Sequence, residues 1–189
     1  MANLDKDEIL FWASKYDQEE VAYSTGLEKD LGDKLRSTKE LTKDELIQII
    51  EWKFQGRLLG RRKIILNKLS SVGDRFIRKV VKESLNEQDE RLRIKKLMGR
   101  FGGIPGVGLA VASVILTFYD PKNYGVFDIH VWREVFGKEP KSLFSNFENL
   151  IEFLRKLRED SKRLNLDVRI LEKAYFKKNL NENKPQLKN

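Results

Sequence analysis

Apolar residues recur at roughly helical spacing through nearly all of the 189 residues, and this periodicity limits the fold more than any other feature of the sequence. The segment from Leu4 to Tyr16 is the first example of the pattern. No run of residues alternates between apolar and polar side chains as a half-buried β-strand does. The sequence therefore predicts an all-α fold with about eight to ten helices.

A capping signal marks the start of one of the expected helices. Thr42-Lys-Asp-Glu45 has the pattern of a capping box, in which the threonine and the glutamate each bond the other residue's backbone amide. This pattern predicts a helix over about 43–54. Further helices are expected over about 74–85, 87–100, 109–118, 128–136, 142–162 and 167–177.

Two glycines interrupt the helical pattern near the start of the chain. Gly26 and Gly32 predict a loop or short helices over 24–38. No linker is long enough to separate two independent domains, so we expect one all-α domain over 1–178, with two helical lobes as the alternative arrangement. The polar segment 179–189 is expected to be a flexible tail.

The charge balance and the rare residue types narrow the chemistry. The chain has 37 Lys+Arg against 29 Asp+Glu, a net charge of +8, which favours an anionic partner and nucleic acid before membrane. It has no cysteine, which excludes disulfides, an iron–sulfur cluster and a thiolate zinc site. Its one histidine, His130, disfavours a histidine-based metal site and a Ser–His–Asp triad.

One uncharged stretch is long enough to be compared with a membrane span. Residues 101–119 carry no charge, but their first half is rich in glycine and contains a proline, as a turn is. Only Leu109 to Tyr119 is continuously apolar, which is typical of a helix buried in a protein core. The first ten residues also carry three acidic side chains where a secretory signal would be basic and then apolar. We therefore expect an intracellular protein outside the membrane.

The segment Ile104-Pro105-Gly106-Val107-Gly108 predicts a tight reversal between two helices. Proline fixes φ, and the two glycines remove the Cβ atoms that would obstruct the backbone. Backbone N–H groups exposed at the start of the second helix, together with the positive helix end, would form a phosphate site. The spacing fits neither the dinucleotide fingerprint nor the P-loop. Close helix packing is the simpler explanation of such glycines.

Asp128 follows Gly108 by 20 residues, after one expected helix and one loop. It precedes an expected helix, where the positive helix end would keep its carboxylate ionised. An ordinary helix N-cap is the simpler explanation of this aspartate.

Together these elements resemble the helix-hairpin-helix DNA glycosylase superfamily. That family has a Leu-Pro-Gly-Val-Gly hairpin, a helix containing an alanine and, about twenty residues on, a Val-Asp-x-His-Val segment followed by arginine. The corresponding residues here are Ile104–Gly108, Ala112, Phe127–Val131 and Arg133. The resemblance covers residues 97–137.

The resemblance implies a helix-hairpin-helix glycosylase-like bundle or barrel that binds duplex DNA as a monomer and removes a damaged or mispaired base. It implies that Asp128 is the catalytic carboxylate and that Gly106, Val107 and Gly108 contact DNA. Bifunctional members have a lysine two residues after the last hairpin glycine, where this chain has Ala110, so a monofunctional enzyme is implied. Family hairpins often hold K⁺ or Na⁺ through backbone carbonyls, here those of Gly102, Ile104 and Val107. We expect no other cofactor.

Other residues have two interpretations each. Arg57, Arg61 and Arg62 are expected to contact DNA phosphates, or else to form a solvated basic face. His130 is a candidate base but more often structural in such a motif. The candidates for stacking on a base, for which burial in the core is the commoner explanation, are Trp52, Phe54, Tyr119, Tyr124, Phe127 and Trp132. The alternative function is that of a non-catalytic helix-hairpin-helix DNA-binding protein.

Overall fold

The structure, a computed structural model, describes residues 4–19, 22–55 and 59–182. Within these ranges the chain forms helices, one short 3-10 turn and no strand, which confirms the all-α class. The helices are α1 (Lys6–Glu19), α2 (Ala22–Thr38), α3 (Lys43–Phe54), α4 (Leu59–Leu69), α5 (Asp74–Asn86), α6 (Glu90–Leu97), α7 (Leu109–Tyr119), α8 (Ile129–Phe136), α9 (Phe147–Leu164) and α10 (Val168–Glu182). None of these described helices has both the length and the apolar character needed to cross a membrane.

The chain divides into two compact units. The central unit comprises Tyr23–Asp120, and the terminal unit combines Met1–Ala22 with Pro121–Asn189. The hairpin segment therefore belongs to the central unit, whereas Asp128 belongs to the terminal unit.

In the central unit, α3 begins as the capping pattern predicts. The Thr42 hydroxyl accepts a hydrogen bond from the Glu45 amide at 3.2 Å, and the Glu45 carboxylate accepts one from the Thr42 amide at 2.7 Å. The helix packs against α7, where the Trp52 ring meets the Phe118 ring edge-on at 5.1 Å between centroids. Because α7 is buried from Val111 to Phe118, it is the core helix that its continuous apolar sequence predicts.

The loop or short helices expected over 24–38 are wrong, since a single helix, α2, runs through this segment without a break. Gly32 lies where a Cβ would be 2.8 Å from the Phe118 carbonyl oxygen. Arg36, one turn later, donates to that same carbonyl at 2.9 Å. Gly32 therefore permits a close approach of α2 to the end of α7 rather than ending a helix.

The helix expected over 87–100 is shorter than predicted. The Asp89 side chain caps α6 by accepting from the Leu92 amide at 2.8 Å, and the helix ends at Leu97. A 3-10 turn, Gly99–Phe101, follows it.

In the terminal unit, α10 packs against α1, α8 and α9. Two oppositely charged side chains of α10, Arg169 and Glu172, are buried and form an ion pair. Residues 179–182, predicted to be part of a flexible tail, instead form the end of α10, where Asn179 is buried. Residues 183–189 lie outside the described part of the chain.

Candidate nucleic-acid interface

Backbone hydrogen bonds close the segment between α6 and α7 into a tight hairpin. The Ile104 amide donates to the Leu97 carbonyl at 3.1 Å, and the Gly99 amide donates to the Val107 carbonyl at 3.0 Å. Met98 and Ile104 form an isolated parallel bridge between these contacts. The side chains of Ile104 and Val107 are buried, so both ends of the turn are anchored in the protein interior.

The two glycines of the hairpin have different structural roles. Gly106 has φ +89°, and a Cβ there would lie 3.2–3.3 Å from Ile65, including its backbone. Gly108 has φ −115°, which any residue adopts, and a Cβ there would have no atom within 4 Å. Gly106 is thus required by the fold, whereas nothing in the described structure requires a glycine at 108.

Gly108 is the N-cap of α7 and leaves the first turn of that helix without a side-chain cap. The first amides of an α-helix have no partner within the helix, and together they attract anions. A phosphate at this position would meet no side chain on Gly108. Ala110, in the same turn, is half-exposed and carries no amine.

The basic helix α4 lies directly against the hairpin, because Ile65 of α4 is the residue that Gly106 approaches. Arg61 and Arg62 precede Ile65 by four and three positions, which places them one helical turn from this contact. Arg61 is exposed and Arg62 is half-buried. The structure therefore brings two of the three predicted phosphate-binding arginines next to the hairpin. Arg57 lies outside the described residues.

Asp128 is the N-cap of α8. One of its carboxylate oxygens accepts a hydrogen bond from the His130 amide at 2.9 Å, and the side chain is half-buried. The preceding residue, Phe127, is fully buried and contacts the rings of Trp132, Phe144 and Phe153 edge-on. This aromatic cluster fixes the backbone that presents the carboxylate.

Arg133 lies in the last turn of α8, at the opposite end of the helix from Asp128. Its guanidinium donates two hydrogen bonds to Glu139, at 2.9 and 2.6 Å. This hydrogen-bonded guanidinium lowers the pKa of the Glu139 carboxyl to about 2. The same pairing with Glu139, with a smaller contribution from the charge of Asp128, raises the pKa of Arg133. Arg133 therefore remains a cation on the helix that Asp128 caps.

The contacts of His130 support its structural interpretation. Its Nδ1 atom lies 3.1 Å from the Asn179 side-chain oxygen, and its ring meets the Phe176 ring edge-on at 5.6 Å. Both partners lie on α10. The imidazole thus joins α8 to α10 within the terminal unit.

Most of the candidate stacking residues are core residues. Burial accounts for Trp52, Phe54, Tyr124, Phe127 and Trp132. Tyr119 is half-buried at the end of α7. The sequence analysis missed Phe101, which is 49% exposed on the hairpin turn. Its position beside the glycines, outside any apolar periodicity, was the available signal.

Two of the three carbonyl oxygens predicted to bind a monovalent cation, those of Ile104 and Val107, accept backbone hydrogen bonds. The Ile104 carbonyl accepts from the Val107 amide, and the Val107 carbonyl accepts from the Gly99 amide, each at 3.0 Å. A carbonyl oxygen has two lone pairs, so one hydrogen bond is compatible with binding of a hard cation at the same oxygen. The donor type therefore fits K⁺ or Na⁺.

We compared the chain with protein-family models, curated proteins and solved structures, and none of them matches. The resemblance to the glycosylases is therefore carried by the motif of residues 97–137 alone. Because the hairpin and Asp128 belong to different units, their juxtaposition stays a prediction.

Proposed function

We propose that this protein is a monofunctional DNA glycosylase that binds duplex DNA, extrudes a damaged or mispaired base and hydrolyses its N-glycosidic bond. The observation that carries the proposal is the hairpin, whose glycine-capped helix end lies beside the arginines of α4. This arrangement offers backbone amides and guanidinium groups to phosphates without reading base sequence. The motif resemblance, including Asp128 at its expected spacing, supplies the enzymatic part of the proposal.

The proposed chemistry needs a carboxylate close to the sugar. Cleavage of the N-glycosidic bond develops positive charge on the sugar, which an ionised Asp128 would stabilise while water attacks C1′. Extrusion of the nucleotide is necessary because the reacting bond is otherwise inside the base stack. The alanine at position 110 offers no amine for a Schiff base, so hydrolysis would occur without strand cleavage.

A bound K⁺ or Na⁺ would add positive charge at the hairpin. The carbonyls of Gly102, Ile104 and Val107 would hold it, and its charge would strengthen attraction to phosphate. The hairpin amides and α4 arginines are proposed to bind DNA in either case.

A non-catalytic DNA-binding protein is the second candidate. The observation that favours it is the hydrogen bond from the His130 amide to Asp128, which gives the aspartate a capping role independent of catalysis. This candidate keeps the hairpin as the DNA contact and assigns no reaction to the terminal unit.

Incubation with a panel of duplexes tests the proposal. The duplexes carry uracil, 8-oxoguanine, an alkylated purine or a single mismatch, and alkali then converts any abasic site into a strand break. The glycosylase proposal predicts alkali-dependent breaks in at least one duplex, with no breaks before alkali and no adduct trapped by borohydride. If the protein binds every duplex but forms no abasic site in any of them, the result would support the second candidate.

A further inference from the structure

Phe101 is an exposed aromatic residue on the 3-10 turn of the hairpin. Its side chain is 49% exposed. The Arg100 guanidinium carbon lies 4.8 Å from the ring centroid, and the Lys95 ammonium nitrogen lies 5.6 Å from it. Two cations therefore lie over the ring, and about half of the side chain stays exposed at the surface of the central unit.

This setting differs from that of other exposed apolar residues in the same unit. Single exposed apolar side chains are common and need no special explanation. Phe76 and Leu92, which are 41% and 49% exposed, lie on the regular helices α5 and α6. Phe101 instead belongs to the turn that the Gly99–Val107 hydrogen bond ties to the start of α7.

The ring is within reach of a strand bound at the hairpin. Phe101 is two residues from Gly99, the Gly99 amide is hydrogen-bonded to the Val107 carbonyl, and Gly108 is the next residue. Together these steps limit the distance between the Cα atoms of Phe101 and Gly108 to about 17 Å. A nucleic-acid strand with a rise of 3.4 Å per nucleotide covers that distance in about five nucleotides. A base near the phosphate site can therefore meet the ring.

We propose that Phe101, flanked by Arg100 and Lys95, is a stacking platform for an unpaired base of the nucleic acid bound at the hairpin. The exposed part of the ring offers a π-surface to the base, and the two cations attract the neighbouring phosphates. This inference rests on the proposed nucleic-acid function and adds a preference for substrates that present an unstacked base.

The test compares two oligonucleotides with the same charge. One is a short single strand of thymidines, and the other has the same length but abasic residues, so only the first can stack. Fluorescence anisotropy with the whole protein gives the affinity for each. The wild type should prefer the thymidine strand by about 5- to 150-fold, the range measured for one stacked base.

Substitutions then assign that preference to the ring. Phe101→Ala and Phe101→Leu should abolish it, because neither side chain has a π-face, while Phe101→Trp should retain it. Arg100→Ala should weaken both strands, since it removes charge rather than stacking. Phe76→Ala is the matched control, because it removes another exposed phenylalanine of the central unit, and it should leave both affinities unchanged.

The experiment distinguishes a failure of the stacking platform from a failure of the proposed function. If the wild type binds neither strand nor duplex DNA, the proposed function fails and this inference fails with it. If the wild type prefers the thymidine strand and Phe101→Ala keeps that preference, only the stacking platform is overturned. Full preference in Phe101→Leu would also overturn it, because an apolar contact would then suffice.

Discussion

Gly106 and Gly108 are two positions apart, yet the structure assigns them different kinds of constraint. At Gly106 both the positive φ and the backbone of Ile65 oppose a side chain. At Gly108 the backbone is extended and the space around a Cβ is open within the described structure. The first glycine is thus tested by stability and the second by binding.

Gly106→Ala should destabilise the protein by about 1–2 kcal/mol, the cost of a left-handed conformation for an L-residue. Any adjustment of Ile65 would add to that cost. The midpoint of chemical denaturation measures the effect. Gly60→Ala is the control, because Gly60 lies within α4 with nothing near its Cβ position, and alanine favours a helix there. Equal stability of wild type and Gly106→Ala would contradict the account of the hairpin.

Gly108→Val should weaken duplex binding by about tenfold or more while the helix content is retained, because the side chain obstructs a charge-assisted hydrogen bond to phosphate. Gly73 provides a matched control. It is also an N-cap glycine without a side-chain cap, and its Cβ position is likewise open. Gly73→Val should cost similar stability and leave DNA affinity unchanged. Wild-type affinity in a folded Gly108→Val protein would exclude the hairpin as the DNA contact.

At the scale of the element, helices with local signals were predictable and those shaped by distant contacts were not. The capping box of Thr42 and Glu45 predicts the start of α3 because both partners lie within one turn. Gly137, with φ +83°, ends α8 where the sequence predicts. Gly32 led to a wrong prediction of a helix break, because a glycine is needed there for the close approach of the Phe118 carbonyl, which is far away in sequence.

The basic face of α4 has a measurable role if it contacts phosphates. Removing one phosphate contact should lower the slope of log affinity against log salt by about 0.9. We expect Arg61→Ala and Arg62→Ala each to show such a decrease on duplex DNA. Lys79→Ala is the control, since it removes the same charge from α5, where Lys79 pairs with Glu83. Unchanged slopes in both arginine variants would favour the solvated basic face.

The Arg133–Glu139 pair makes the end of α8 sensitive to acid. Because the pKa of Glu139 is lowered to about 2 from an ordinary value of 4.5, its stabilising effect is fully present above pH 4.5. That effect is lost as the pH falls toward 2. The melting temperature of Glu139→Gln should therefore lie below that of the wild type by a constant amount above pH 4.5, and the two should converge near pH 2. A difference that does not shrink between pH 4.5 and pH 2 would contradict the assignment.

At the scale of the whole molecule, the sequence motif spans two units. The spacing from Gly108 to Asp128 places both residues in one family pattern, but spacing along a chain does not determine distances between units. The candidate stacking residues show the same limit, because burial of Trp52 or Phe127 depends on residues that are remote in sequence.

The most direct measurement is the single-turnover rate of base release by wild type and Asp128→Asn, on the duplex that the wild type cleaves after alkali. Asparagine caps helices about as well as aspartate, so the substitution keeps the cap of α8 and removes the negative charge. The account predicts a rate lower by about 100-fold or more, because the charge is proposed to act in the transition state, with DNA affinity kept or increased. A rate equal to that of the wild type, in a variant that binds DNA normally, would contradict the catalytic role of Asp128.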